Sequence, residues 1–369
     1  MNTIGKTEPT ASKTPFLYRG ANLRRAVTIF LLGTLTLLVI LKLSGFKASW
    51  EKFLTLDSRY IVAAFAIYYF TFALRTLRWK ILLRALGRDL SFRRLFSYLL
   101  VGWFISAVVP ARAGDVARAY LLRNDRNVPL RRGLGSIFVE RGLDGVVILS
   151  FSLIFSFFIH SLGLPKWLLT LYQATFSVLL LALLFLFFVP KLESKVRAFF
   201  SAARYQKYVM FLFRLLDKVR LIARSPLRMF TALLLTVTIW FCDALVTYFI
   251  LMGLDYQLPL PWVAFISFTV NLAATVPLTP GAVGQIDVVQ FSLFSLIGVA
   301  RSISGVTILI SRFICFWSML VISGLVTYAS GLSRLVRNMS GRRGLLGTPL
   351  ETSSKSKPLA PQVSDYRGS

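Results

Sequence analysis

Glu140 and Asp144 stand four residues apart in the stretch Glu140-Arg141-Gly-Leu-Asp144-Gly, within a largely apolar run. That spacing puts both carboxylates on one helical face. They repel there unless a cation lies beside them, and Arg112 and Arg118 are the candidates. Asp243 and Arg312 interrupt two further apolar runs. An ionisable group at the centre of a membrane helix costs roughly 2.5–3.5 kcal/mol, so such groups face partners or water. An ion-pair network that only holds helices together explains Glu140 and Asp144 as well as a binding site does.

Two interrupted segments carry the next signal. One reads Pro110-Ala-Arg112-Ala-Gly114-Asp115, the other Pro280-Gly281-Ala-Val-Gly284-Gln-Ile-Asp287, with Pro277 just before it. Each sets a proline four residues before a glycine and an acid within the next three. Each follows an apolar stretch bearing aromatics, Phe96 and Trp103 in the first and Trp262 and Phe268 in the second. Paired breaks in corresponding halves of a membrane protein point to a transporter site at a repeat interface. Ordinary loop punctuation by proline and glycine is the plainer alternative. Arg112 lies at the first break itself. Its planar fork suits phosphate, and a helix N-terminus beside it adds free amides and a positive dipole end. Arg118 is divided between that role and simple topology charge; Arg123 and Arg126 read as topology charge.

The elements that must hold these residues follow from composition. The chain is 369 residues long, 56% hydrophobic, with mean hydropathy +0.68. Soluble domains are about 45–50% apolar. The excess falls in blocks of the length an α-helix needs to cross ~30 Å of hydrocarbon. The predicted full spans are 26–44, 59–79, 135–160, 167–189, 229–252 and 304–329, with shorter apolar stretches at 95–109 and 262–278. The expected fold is all-α: a polytopic integral membrane bundle of about six spans plus two Pro/Gly-broken re-entrant hairpins in an inverted repeat. For 262–300, two short spans satisfy the charge pattern equally well. The two cysteines, Cys242 and Cys315, read as packing residues, and the single histidine, His160, argues against multi-histidine metal chemistry. No metal or cofactor is expected.

The net charge of +28 is concentrated between the apolar blocks, which reads as topology and contact with anionic lipid, not as nucleic-acid binding. The segments around Arg75–Arg94, Arg112–Arg132 and 190–228 and the tail with Arg334, Arg337, Arg342 and Arg343 are basic, whereas 161–166 and 253–261 are poor in cations. By the positive-inside rule both termini face the cytoplasm. The N-terminal apolar block lacks a small-residue cleavage motif and reads as a retained helix. The expected organisation is a basic N-terminal tail (1–24), a membrane domain (25–330) with an amphipathic cytoplasmic segment (190–228), and a disordered basic tail (331–369).

At these residues the chain resembles the lysylphosphatidylglycerol synthase transmembrane-region family, also called flippase-like. The resemblance rests on Arg75-Thr-Leu-Arg78-Trp79-Lys-Ile-Leu-Leu, on Pro110 to Leu122, on Glu140-Arg141-Gly-Leu-Asp144, and on Thr279-Pro280-Gly281-Ala-Val-Gly284 with a following acid. It covers roughly residues 20–330. One departure is Asp287, where the family usually has glutamate. No aminoacyl-transfer domain fits in this chain, so the resemblance implies the lipid-translocating half alone, resident in the plasma membrane.

The leading expectation is a translocase for a phosphate-bearing lipid or lipid-linked headgroup. Arg112, Asp115, Arg118, Glu140, Arg141, Asp144, Asp287 and Arg312 would handle the headgroup, and Pro110, Gly114, Pro277, Pro280, Gly281 and Gly284 would shape the breaks. No nucleotide-binding motif is present, so catalysis of ATP hydrolysis is not expected. A membrane enzyme on a lipid-linked substrate, such as a glycosyltransferase, and a non-transporting partner of a lipid-modifying enzyme are the alternatives. A homo-oligomer is compatible with all three.

Overall fold

A computed structural model describes residues 42–108, 113–159, 224–275 and 282–330 continuously, with isolated positions in 31–40, 170–181 and 217–222. The predicted spans 26–44 and 167–189, the segment 190–228 and both tails lie wholly or largely outside the described residues. Every regular element among those residues is a helix. In chain order they are α1 (Phe46–Leu54), α2 (Ser58–Ala85), α3 (Phe92–Val108), α4 (Ala113–Arg126), α5 (Leu130–Ile159), α6 (Pro226–Gly253), α7 (Leu260–Ala273), α8 (Gln285–Leu296) and α9 (Arg301–Ala329). Helices α2, α6 and α9 are long and apolar enough to cross a membrane, and the chain is a polytopic helical membrane protein.

Helix boundaries follow local chemistry. The Asp57 carboxylate accepts from the Arg59 amide, capping α2; α2 runs on to Ala85, and Gly87 then turns the chain at φ 74°. The sequence reading ended this span at 79 and placed Arg75 and Arg78 in a basic linker; that is corrected. The stretch from Arg75 to Arg84 contains no glycine or proline, and arginine, leucine and lysine are good helix formers, so charge alone does not end the helix. Pro226 begins α6, where its missing amide costs nothing.

The four elements α2–α5 recur as α6–α9. Helix lengths run 28, 17, 14 and 30 residues in the first set. They run 28, 14, 12 and 29 in the second. The two leading helices are antiparallel: the Asp57 amide donates to the Gly253 carbonyl (2.9 Å), and at the other end Arg228 donates to the Arg84 carbonyl (3.0 Å). The second set is therefore inverted relative to the first, the arrangement expected of an inverted repeat. The halves also interlock. Phe104 of α3 lies against Gly324 of α9, and Phe268 of α7 stacks on Phe151 of α5 at 5.4 Å.

In each half the two middle helices form a pair broken by a short connection. At about 1.5 Å per residue, α4, α7 and α8 are roughly 18–21 Å long, short of the ~30 Å hydrocarbon thickness. In the first pair the backbones nearly touch. A Cβ on Gly114 would fall 1.8 Å from the Gly102 carbonyl oxygen, and one on Gly102 would fall 2.6 Å from Arg118 Cγ. Gly114 also donates its amide to Ser106 Oγ (3.2 Å). At the outer end of the same pair, the Tyr98 hydroxyl donates to Asp125. Gly114→Ala is therefore expected to split this pair and lower the apparent Tm of the purified protein, because backbone cannot yield as a side chain does. Gly142→Ala, where a Cβ meets nothing within 4 Å, should leave Tm unchanged.

Candidate functional site

Three arginines and three carboxylates interlock in the first half. Arg78 on α2 is fully buried; its Nη1 reaches Asp144 Oδ1 at 2.6 Å and Thr236 Oγ1 at 2.8 Å, and its Nη2 lies 3.2 Å from Glu140 Oε1. Arg118 on α4 pairs with Asp115 (2.9 Å) and Glu140 (3.4 Å). Arg141 reaches Asp115 and Asp144, both at 3.1 Å, and Glu140 at 3.3 Å. Glu140 and Asp144 do share a face of α5, and what relieves their repulsion is chiefly Arg78 and Arg141, with Arg118 on Glu140. The guanidinium of Arg118 lies 4.9 Å from the centre of the Trp79 ring. Trp79 and Trp240 in turn donate to Ser136 (3.1 Å) and Asp144 (3.0 Å). Buried charges of this kind persist only when paired and hydrogen-bonded.

The second half carries a reduced version. Asp287, in the first turn of α8, accepts from the Gly284 amide at 2.9 Å and pairs directly with Arg312 of α9. Gly284 sits at φ 81°, a conformation that suits glycine. Immediately after Arg312, α9 passes through a π-helical turn over Phe313–Ser318, a feature frequent at functional sites. The Tyr68 hydroxyl donates to the Cys315 carbonyl within it (2.7 Å).

Several positions in the two halves correspond by their place in the helix. Asp115 and Asp287 each stand third in their helix, and Arg141 and Arg312 each stand twelfth. Hence the pairs Asp115–Arg141 and Asp287–Arg312 are counterparts. Arg75 stands 17 residues after Ser58, and Asp243 stands 17 after Pro226. Trp103 and Asn271 each stand 11 residues after the start of their helices.

Both broken pairs open onto one cavity of about 430 Å³. Ser106, Ala107, Asp115 and Arg118 line it from the first, and Ala274, Thr275, Ala282, Asp287 and Gln290 from the second. Arg75, Arg141, Asp144, Asp243 and Arg312 complete its charged wall, beside Tyr68, Phe72, Trp103, Trp240 and Phe316. Glu140 is buried beneath that wall. Four arginines thus face four aspartates.

Arg75 differs from the other three. It is 5% exposed, lines the cavity, and has no ion pair or hydrogen bond to any described residue; its Nε is buried without a partner. What surrounds it is aromatic: its guanidinium carbon lies 5.5 Å from the Trp103 ring centre and 5.0 Å from that of Trp240. Indole faces hold a cation by their quadrupole but leave its N–H donors unsatisfied.

Of the residues singled out from sequence, Asp115, Arg118, Arg141, Asp144, Asp287 and Arg312 meet at this cavity and Glu140 lies behind it, whereas Gly114 packs against Gly102 and Gly284 caps α8. Arg112, Pro110, Pro277, Pro280 and Gly281 lie outside the described residues. Sequence reasoning missed Arg75 and Arg78 as site residues and left Asp243 without a role. The signal was present: Arg75 and Arg78 fall inside the predicted span 59–79, where a cation demands an explanation.

The family model described as lysylphosphatidylglycerol synthase TM region matches residues 26–323. Among curated proteins, a UPF0104 membrane protein of Methanothermobacter thermautotrophicus is 23% identical over 315 residues, 79% of this chain and 92% of its own length. One of Pyrococcus horikoshii is 22% identical over 320 residues, 81% of this chain and 95% of its own. A shorter similarity, 38% over 104 residues, links 25% of this chain to 16% of the glycosyltransferase AglD of Haloferax volcanii.

Proposed function

Because this chain belongs to the lysylphosphatidylglycerol synthase transmembrane-region family, we propose that it is a lipid translocase that moves a phosphate-bearing headgroup through the shared cavity while the acyl chains stay in the bilayer. The observation that carries this reading is Arg75, a buried cation turned into the cavity with no described counter-ion. A phosphate would supply the acceptors its N–H groups lack, and Arg–phosphate bonds are charge-assisted and strong. Desolvating such a cation without a hydrogen-bond partner is costly, and a bound phosphate would offset that cost.

The two counterpart ion pairs suit the transport step. Each joins a short helix of a broken pair to a long helix of the same half: Asp115 of α4 to Arg141 of α5, and Asp287 of α8 to Arg312 of α9. Inverted repeats alternate access by rocking one unit against another around a fixed site. Here the pairs would act as opposed latches, one opening while the other holds. The π turn next to Arg312 gives α9 a place to adjust its register.

A glycosyltransferase-like membrane enzyme, the reading suggested by the similarity to AglD, asks for a carboxylate free to act on substrate. Asp115, Asp144 and Asp287 are each held by arginine. Asp243, which makes no ion pair to a described residue, accepts from Asn271, so the preference for the carrier rests on Arg75 and not on the carboxylates. The test is reconstitution into liposomes with acyl-labelled phospholipids and an impermeant quencher. The expected result is translocation of at least one phospholipid at least tenfold faster than in protein-free vesicles. Equal rates across anionic, zwitterionic and aminoacylated lipids, with and without protein, would overturn the proposal.

A further inference from the structure

Asp243 is the inverted-repeat counterpart of Arg75, and like Arg75 it lines the cavity without an ion pair to any described residue. It accepts one hydrogen bond, from Asn271 Nδ2 at 2.7 Å. Asn271 is in turn the counterpart of Trp103, the residue against Arg75. The same two helix positions therefore build a cation set among indoles in one half and a carboxylate held by an amide in the other. All the other described carboxylates on the cavity wall, Asp115, Asp144 and Asp287, are matched by arginines. One positive and one negative charge are left over.

These two charges do not neutralise each other by contact. Asp57 meets Gly253 at one end of the α2–α6 pair and Arg84 meets Arg228 at the other, which sets the Arg75 backbone near the level of Thr236. With α2 and α6 antiparallel, Asp243 then lies about seven residues further along α6, roughly 10 Å of helix rise. The side chains turn into a common space between those levels. Aromatic faces from Tyr68, Phe72 and Trp240 line the interval, a surface that tolerates a cation in transit.

Resting on the translocase reading, we infer that the cavity selects a net-neutral, zwitterionic headgroup, with its phosphate on Arg75 and its ammonium on Asp243. A headgroup carrying phosphate alone would leave Asp243 facing an anion across the same cavity. Like-charge juxtaposition of that kind is how sites reject wrong partners.

The experiment compares acyl-labelled phosphatidylethanolamine with phosphatidylglycerol in liposomes containing the full chain or Asp243→Asn. The asparagine is isosteric and keeps an acceptor for Asn271, and equal Tm for the two proteins serves as the folding control. The wild type is expected to move phosphatidylethanolamine at least tenfold faster than phosphatidylglycerol. Asp243→Asn should slow phosphatidylethanolamine about tenfold and leave phosphatidylglycerol unchanged or faster, whereas Asp243→Glu should restore the preference in part. If the wild type moves both lipids equally, or Asp243→Asn slows both alike, the zwitterion inference fails while translocation stands. If neither lipid moves, the translocase reading fails. Retention of the two lipids on the purified protein, read by native mass spectrometry, then decides the headgroup: a phosphatidylethanolamine preference lost in Asp243→Asn supports it, and no preference overturns it.

Discussion

Arg78→Met is expected to be the most destabilising single substitution in the charged network, costing about 3–5 kcal/mol. The side chain is fully buried and contacts Asp144, Glu140 and Thr236 at once. Its removal leaves Arg141 and Arg118 to balance three carboxylates in a medium with little water. Methionine fills a similar volume, so the loss reports charge and hydrogen bonding, not a cavity. The check is apparent Tm in detergent together with the monodisperse fraction on size-exclusion chromatography. Adding Asp144→Asn to Arg78→Met should recover part of the loss, because the orphaned charge goes with its partner. Arg78→Lys should rescue little, since an ammonium lacks the fork that spans two carboxylates. A Tm unchanged in Arg78→Met would show that the network does not hold the fold.

Arg75→Gln is expected to do the reverse. One turn of helix separates Arg75 from Arg78, yet Arg75 makes no ion pair or hydrogen bond to a described residue and lies against the Trp103 and Trp240 rings. Deleting an unmatched buried charge removes a desolvation penalty and no ion pair, so Tm should hold or rise. A charge-assisted hydrogen bond contributes about 1.5–3 kcal/mol, and tenfold corresponds to about 1.4 kcal/mol. Translocation should therefore fall roughly 10–100-fold. Arg75→Lys should keep part of the rate, having the charge without the planar face that stacks on Trp103 and Trp240. Loss of stability equal to that of Arg78→Met would make Arg75 a structural residue and remove the phosphate site. The contrast between these neighbours separates what holds the helices together from what awaits a ligand.

Much of this architecture was legible in the chain, because hydrocarbon imposes one rule: backbone must be satisfied within its own segment. Apolar length marked α2, α6 and α9, and the matched Pro/Gly breaks marked the two short-helix pairs. Spacing marked Glu140 and Asp144 as one face. Asp287 and Arg312 were both marked as candidate headgroup residues, and the fold brings them into contact. The positive-inside rule misled at Arg75 and Arg78. It treats cations near an apolar block as flanks, whereas these two belong to the helix and turn into the bundle. Which cation meets which acid depends on tertiary packing: Arg78 and Glu140 are 62 positions apart in the chain. The correspondence of Arg75 with Asp243 was beyond sequence reasoning for a further reason. The two residues are opposite in charge, so only helix starts fixed in three dimensions place them in register. The glycine contact between α3 and α4 was equally hidden, since a glycine in an apolar run does not announce what approaches it.

The account turns on a headgroup occupying the space between the two broken helix pairs. A structure of the protein purified in native lipid addresses it directly. The predicted result is a lipid with its phosphate oxygens about 2.7–2.9 Å from the Arg75 nitrogens, its cationic end directed toward Asp243, and its acyl chains passing out between helices. Lipid confined to the outer belt, with Arg75 closed onto a protein carboxylate and no headgroup in the cavity, would contradict it.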